Sequence, residues 1–327
     1  DVDASHFLGD SELIQKVLHH FDKEALLSSF ESRGLTPVIR KNRYYFCSRS
    51  SDEIINILLS RLKNTIIEYD KNVLSIDKNE LFSVKTVQKK YHAKYVVVAT
   101  GGPSYKELGA SDFSIKTAQS FGIETKPFLP ALVGLTLQPK EFWMKELSGI
   151  SFPAEIIVAN KRLNEDLLFA HKGISGPVVL SASLYWHKGE ITINFLPNFS
   201  LQSIRKERKN ISTALPLPKR FIKSFCDAVR LEDKPCVHLT DDEWLELSKI
   251  QGYSMAPSGT FGLSKAEACR GGVSTDELDH TSLEALKVQN LYFIGEGVDV
   301  TGELGGYNFQ WAFSSAVYAA QAIAKNH

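Results

Sequence analysis

Cysteine is scarce in this chain. Only four are present, Cys47, Cys226, Cys236 and Cys269, with no Cys-x-x-Cys pair and long gaps between them. That spacing argues against a disulfide framework and against a structural metal site. It fits reduced thiols in a cytoplasmic protein. No apolar run reaches membrane-spanning length, and the start carries no signal-peptide pattern. Neither sign of charge is in excess, because 38 basic side chains meet 38 acidic ones. A general polyanion binder is therefore not expected, nor is nucleic acid as a partner. Internal repeats and low-complexity tracts are also missing. One further absence carries more weight: the chain begins at Asp1 without methionine, and no Gly-x-Gly-x-x-Gly stands near its start.

What is present is an ordinary globular composition. The 327 residues are 43% hydrophobic, enough for one large domain with an insertion or for two domains. The most informative stretch lies late, from Asn290 to Val317. Leu291–Ile294 is a short apolar run ended by Gly295, and a loop with Gly297, Gly302, Gly305 and Gly306 follows. After it, Phe309, Ala312, Phe313, Ala316, Val317 and Ala320 recur at helical spacing. A strand, a glycine loop and a helix start together can hold an anionic or polar cofactor. Glycine lets backbone approach the ligand, and the helix N-terminus offers unpaired N–H groups. A tight corner would need one or two glycines, without Glu296, Asp299 and Asn308 among them.

This stretch resembles the C-terminal flavin-contacting motif of the BaiN-like, aminoacetone-oxidase-type family of bacterial FAD-dependent oxidoreductases. The matching positions are Gly295-Glu296, Asp299, Gly302, Gly305-Gly306-Tyr307-Asn308, Gln310 and Ala312. The resemblance runs over nearly the whole chain. Tyr95–Ala99 reads as a parallel strand covered on both faces. It ends in Thr100-Gly101-Gly102-Pro103, which matches the family, as does His171-Lys172-Gly173-Ile174-Ser175-Gly176-Pro177. Three departures stand out: Ala110–Ser114 replaces a glycine-containing segment, Cys269 stands where threonine is usual, and Glu284-Ala285-Leu286 replaces Glu-Ser-Lys.

Between these motifs the pattern is local. Residues 10–34 read as two helices, with Asp10 or Ser11 as cap and Gly34 as stop. Arg40–Phe46, with Arg43-Tyr44-Tyr45-Phe46 at its end, mixes aromatic and basic residues. A buried hairpin is preferred over a nucleic-acid contact. Ser50 with Glu53 reads as a capping box ahead of a helix bearing Ile54, Ile57, Leu58 and Leu62 on one face. Short strands follow from Thr65 to Thr86. Thr240 with Glu243 forms a second box in a polar helical stretch whose basic run, Arg205–Lys209, reads as a solvated face.

The resemblance implies an α/β fold: an FAD/NAD(P)-binding, Rossmann-like domain, with a mostly parallel sheet and a β-meander, plus a large inserted β and helical domain. Residues 1–128 and 286–327 are assigned to the first, and 129–285 to the insertion, with strands about 129–196 and 256–285 and a helical part about 200–252. The implied function is FAD-dependent oxidoreduction of a small-molecule substrate, exchanging electrons with NAD(P)H or oxygen. Thr100, Gly101, Gly102, Gly295, Glu296, Asp299, Gly302, Gly305, Gly306, Tyr307 and Asn308 are the expected flavin contacts. His171 is the candidate catalytic residue, against a structural reading. Two other classes stay open: a flavin-free scaffold that binds a partner, and a flavoprotein acting on RNA. Because the family's first strand–helix–strand unit holds the FAD pyrophosphate, the natural protein is expected to be longer. A chain of this extent is expected to hold FAD weakly.

Overall fold

The computed structural model describes residues 2–40 and 44–325. The chain divides into two compact units, Asp1–Leu129 with Cys269–His327, and Pro130–Ala268.

The first unit opens with a short strand β1 (Phe7–Leu8) and two helices, α1 (Ser11–His20) and α2 (Lys23–Glu31). Asp10 and Asp22 cap these helices, accepting the N–H of Leu13 at 2.7 Å and of Ala25 at 2.8 Å. Leu13, Ile14, Val17 and Leu18 put the apolar stripe of α1 into the core. A hairpin of β2 (Val38–Arg40) and β3 (Tyr44–Phe46) comes next, then α3 (Asp52–Ser60). Residues 41–43, including Arg43 of the aromatic–basic run, lie outside the described residues. The hairpin is exposed rather than buried, with Ile39 55% and Phe46 45% accessible. The expected cap of α3 also differs: Ser51 is the N-cap, and the Glu53 carboxylate accepts the N–H groups of Arg49 and Ser50. No residue of α3 is buried.

A three-stranded antiparallel meander follows, made of β4 (Val73–Lys78), β5 (Phe82–Thr86) and β6 (Lys90–Ala93). Then come β7 (Val96–Val98), α4 (Phe113–Ser120) and β8 (Thr125–Ala131), within which the chain passes into the second unit.

The second unit is built on a seven-stranded sheet, all of whose pairs are antiparallel. Its strands are β9 (Leu135–Thr136), β10 (Ser151–Val158), β11 (Lys161–Ala170), β12 (Gly173–Ser175), β13 (Ile191–Asn194), β14 (Tyr253–Met255) and β15 (Gly259–Thr260). Their spatial order is β14-β13-β10-β11-β12-β9-β15. Its helices are α5 (Pro177–Tyr185), α6 (Ile211–Ala214), α7 (Lys219–Ala228) and α8 (Asp241–Ser248). The Thr240–Glu243 capping box starts α8 as the sequence implies. Phe152, Phe169, Phe195, Phe221 and Phe225 interlock in its core, with centroids of contacting rings 4.9–6.4 Å apart.

The chain returns in β16 (Ala268–Val273), then β17 (Leu291–Phe293), β18 (Thr301–Gly302) and the long α9 (Tyr307–Lys325). Residues 269–285, assigned from sequence to the insertion, belong to the first unit. The reason is packing: Leu278, Leu283 and Ala285 join its core, and Ser274 N–H donates to Glu124 C=O at 3.1 Å. β7 and β17 pair in parallel, Val96 opposite Leu291 and Val98 opposite Phe293, as their apolar runs imply. Val97 is 41% exposed, so the expected cover on both faces is not found, and among the described residues the other edge of β7 has no strand partner. Also among the described residues, no helix is long and apolar enough to cross a membrane.

Candidate functional site

The parallel pair fixes the site. Ile294 N–H donates to Val98 C=O at 3.2 Å, so Thr100-Gly101-Gly102 and Gly295-Glu296 leave the same edge of the sheet. This is the carboxyl edge at which open α/β sheets bind ligands. Gly101 and Gly295 both have positive φ, +65° and +64°, which glycine adopts at no steric cost.

Glu296 ties this edge together. Its two carboxylate oxygens accept backbone N–H groups from different segments, Gly102 at 3.1 Å and Cys269 at 2.7 Å. Such charge-assisted bonds are stronger than neutral ones. The Cys269 thiol lies 2.9 Å from the Ser104 hydroxyl, and burial pushes it up to about 11. Ser114 donates to Gly101 C=O at 3.1 Å. Both polar groups of Gly295 are taken by α9: its N–H donates to Ser315 Oγ and its C=O accepts Trp311 Nε1–H, each at 3.0 Å.

The glycine loop before α9 is braced in a similar way. Asn308 binds both backbone groups of Gly302. Tyr307 stacks on His6, centroids 4.6 Å apart and planes 11° apart, and meets Phe7 edge-on. Strand β1 pairs antiparallel with β18, Phe7 opposite Gly302. The Tyr44 ring leans on the loop, since a Cβ on Gly305 would stand 2.7 Å from Tyr44 Cε1. Asp299 forms an ion pair with Lys126 at 2.6 Å, and that contact raises the lysine pKa.

The expected contacts thus divide by job. Glu296, Asp299, Tyr307 and Asn308 have their side chains committed to neighbours within the protein. Thr100, Gly305 and Gly306 are exposed. Gly306 has open space where a Cβ would stand, at the start of the 19-residue α9. The amides of that first turn have no acceptor inside the helix. An exposed glycine backbone at a helix start fits a planar, acceptor-bearing ring or an anion. An apolar groove of about 310 Å³ runs beside β7 to Thr100, lined by Ile76, Val84, Tyr95, Val97 and Phe113 among others. That volume suits a ring system.

His171 stands at the exposed turn between β11 and β12 of the second unit. The glycines around it serve the sheet: a Cβ on Gly173 would strike the Leu135 carbonyl, and one on Gly176 would meet Asp166 O at 2.7 Å. Sequence reasoning missed His6, Tyr44 and Lys126 as neighbours of the site. Tyr44 carried a signal in its aromatic–basic run. The others become neighbours only through pairings far apart in sequence.

Comparison with known proteins places this geometry in a family. The profile of the HI0933-like protein Rossmann domain matches residues 3–322. The chain is 38% identical over 293 residues to the ribosomal RNA dihydrouridine synthase of Escherichia coli K12, covering 85% of this chain and 73% of that protein. It is 31% identical over 353 positions to the protein of the same name from Haemophilus influenzae Rd, covering 99% and 86%. A 3-dehydro-bile acid delta(4,6)-reductase of Clostridium scindens is 27% identical over 354 positions, with 99% and 86% covered. With a dinucleotide-type edge built from its two parallel strands and a profile match across almost all of its length, the chain belongs to the HI0933-like flavoprotein family.

Proposed function

We propose that this protein is an FAD-dependent reductase that saturates the C5=C6 bond of a uridine in ribosomal RNA. The observation that carries the flavin assignment is the exposed Gly305–Gly306 backbone at the start of α9, with open space at Gly306, while the side chains around it brace the loop. The RNA assignment is supported by the similarity to two ribosomal RNA dihydrouridine synthases at 38% and 31% identity.

The names of the relatives share one chemistry. Dihydrouridine formation and enone reduction both add two hydrogens across a carbon–carbon double bond conjugated to a carbonyl. For uracil, C6 receives a hydride equivalent and C5 a proton. Reduced nicotinamide dinucleotide is the class of donor that restores the two electrons. FAD supplies the hydride chemistry when bound, and the protein supplies position and electrostatics. In this chain the positive end of the α9 dipole would stabilise negative charge at the ring edge it faces. Thr100 and the Gly305–Gly306 amides would donate to ring acceptors. The Glu296 carboxylate would act at one remove, by fixing the Gly102 loop. His171 is retained as the candidate catalytic residue on the strength of its motif alone.

The test combines two measurements. The visible spectrum of freshly purified protein shows a flavin band if the cofactor assignment holds and none if the chain is a flavin-free scaffold. Incubation with NADPH and ribosomal RNA lacking dihydrouridine, followed by nucleoside mass spectrometry, should show a uridine two hydrogens heavier. If the flavoprotein reduces an unsaturated ketone but leaves the RNA unchanged, the small-molecule reading replaces this one.

A further inference from the structure

The β2–β3 hairpin carries an unusual surface. From Val38 to Phe46 the sequence reads Val-Ile-Arg-Lys-Asn-Arg-Tyr-Tyr-Phe, with three cations, three aromatics and no acid. The register pairs Val38 with Phe46, Ile39 with Tyr45 and Arg40 with Tyr44. Side chains alternate across a hairpin, so Val38, Arg40, Tyr44 and Phe46 share one face while Ile39 and Tyr45 share the other.

The first of these faces meets the glycine loop. Tyr44 lies against Gly305. Beside it, the Arg40 guanidinium sits over the Phe46 ring, 4.8 Å from its centroid. Phe46 stays 45% exposed and Arg40 is exposed as well. A flat aromatic ring backed by a guanidinium, with no acidic neighbour in the run, matches a nucleobase together with its phosphate. Stacking uses the π-face of any base, and the cation adds attraction to the backbone. An apolar protein partner would gain nothing from the Arg40 guanidinium.

The chemistry of the site needs such a surface. A uridine inside structured RNA reaches a buried ring only when it is turned out of its stack, and this leaves its neighbours unstacked. We infer that the Arg40–Phe46 face of the β2–β3 hairpin stacks a nucleotide flanking the target uridine, with Tyr44 bridging that platform to the Gly305 loop. This rests on the RNA reading above. Tyr45, on the opposite face, takes no part.

The experiment uses the flavin-loaded full chain and a short fluorescein-labelled oligouridine, with affinity read by anisotropy across a salt series. Phe46→Ala should weaken binding about tenfold, as loss of one stacked base does. Phe46→Trp should restore it and Phe46→Leu should not. Arg40→Gln should weaken binding and reduce the slope of log affinity against log salt by about one. Tyr45→Ala should change affinity less than about twofold, within the range of a residue that makes no contact. Flavin absorbance and thermal melting check that each variant folds, and the leucine and glutamine variants keep the test open should the alanine variant unfold. Wild-type affinity in Phe46→Leu would overturn stacking in favour of plain apolar contact. An unchanged salt slope in Arg40→Gln would overturn the phosphate contact. If the wild-type protein binds and Phe46→Ala binds equally, the hairpin assignment fails alone. If the wild-type protein does not bind at all, the RNA reading fails with it.

Discussion

Asn308 holds both backbone polar groups of Gly302: its Oδ1 accepts the Gly302 N–H at 2.8 Å, and its Nδ2 donates to the Gly302 C=O at 3.0 Å. One side chain thereby closes the loop that leads into α9, as a paired strand residue would. Both backbone groups of Gly302 thus have a partner within the protein.

The first expectation follows from that closure. Asn308→Ala removes both bonds and leaves two largely buried groups to find water, at a cost of about 1–3 kcal/mol. Asn308→Asp keeps the acceptor but sets a carboxylate against a carbonyl, so it should cost at least as much. Urea unfolding of the two variants against the parent measures this. Flavin retained after gel filtration should fall in both.

Glu296 gives a second test. Glu296→Gln preserves one acceptor but points an NH₂ group at the other backbone N–H, leaving two donors facing each other. A loss of about 1.5–3 kcal/mol is expected, the range for bonds to a charged group. A melting temperature equal to that of the parent would show that the Gly102 and Cys269 segments hold together without it.

Thiol chemistry supplies a third. Cys226, Cys236 and Cys269 are buried, and Cys47 is half-buried. One thiol per chain, at Cys47, should react with a disulfide reagent under native conditions, and all four after unfolding. Fast labelling of Cys269 would contradict its burial against Gly102 and Ser104.

Burial of Cys269 also sets a pH dependence. Its folded pKa, about 11, lies above the ordinary 9.0. Between these values the unfolded chain has lost a proton that the folded chain keeps. Stability therefore falls as pH rises from about 9 to about 11, by up to about 3 kcal/mol from this group. Cys226 and Cys236 are also raised by burial and act in the same direction. Urea midpoints taken across that window should fall, and Cys269→Ala should flatten the curve without abolishing it.

Much of this architecture was legible where the signal is local. The α1 stripe, the Thr240–Glu243 box and the two apolar runs of the parallel pair each declare themselves within a few residues. The glycine motif was legible as a strand end and a helix start, but the bonds its side chains make were not. The partners of Glu296 and Asp299, namely Gly102, Cys269 and Lys126, are distant in sequence and could not be read from it. Burial was the other blind spot. Phe46 and Leu58 are apolar enough for a core, yet both are exposed, and composition alone does not say which apolar face finds a cover. Residues 269–285 went to the wrong unit because β16 reads the same whichever sheet it joins.

The clasp between the first helices and α9 bears on how the protein comes into being. Gln310 and Ser314 both donate to the Phe21 carbonyl across 289 and 293 residues, and β1 pairs with β18 across a similar span. Contacts so distant in sequence form late in folding, because the closure entropy must be met before they contribute. A chain growing on the ribosome can complete its meander and its seven-stranded sheet early, yet it has no site edge until α9 emerges. The site edge therefore waits for α9, and mutations that weaken the clasp should lower the yield of folded protein more than they lower the stability of each folded molecule.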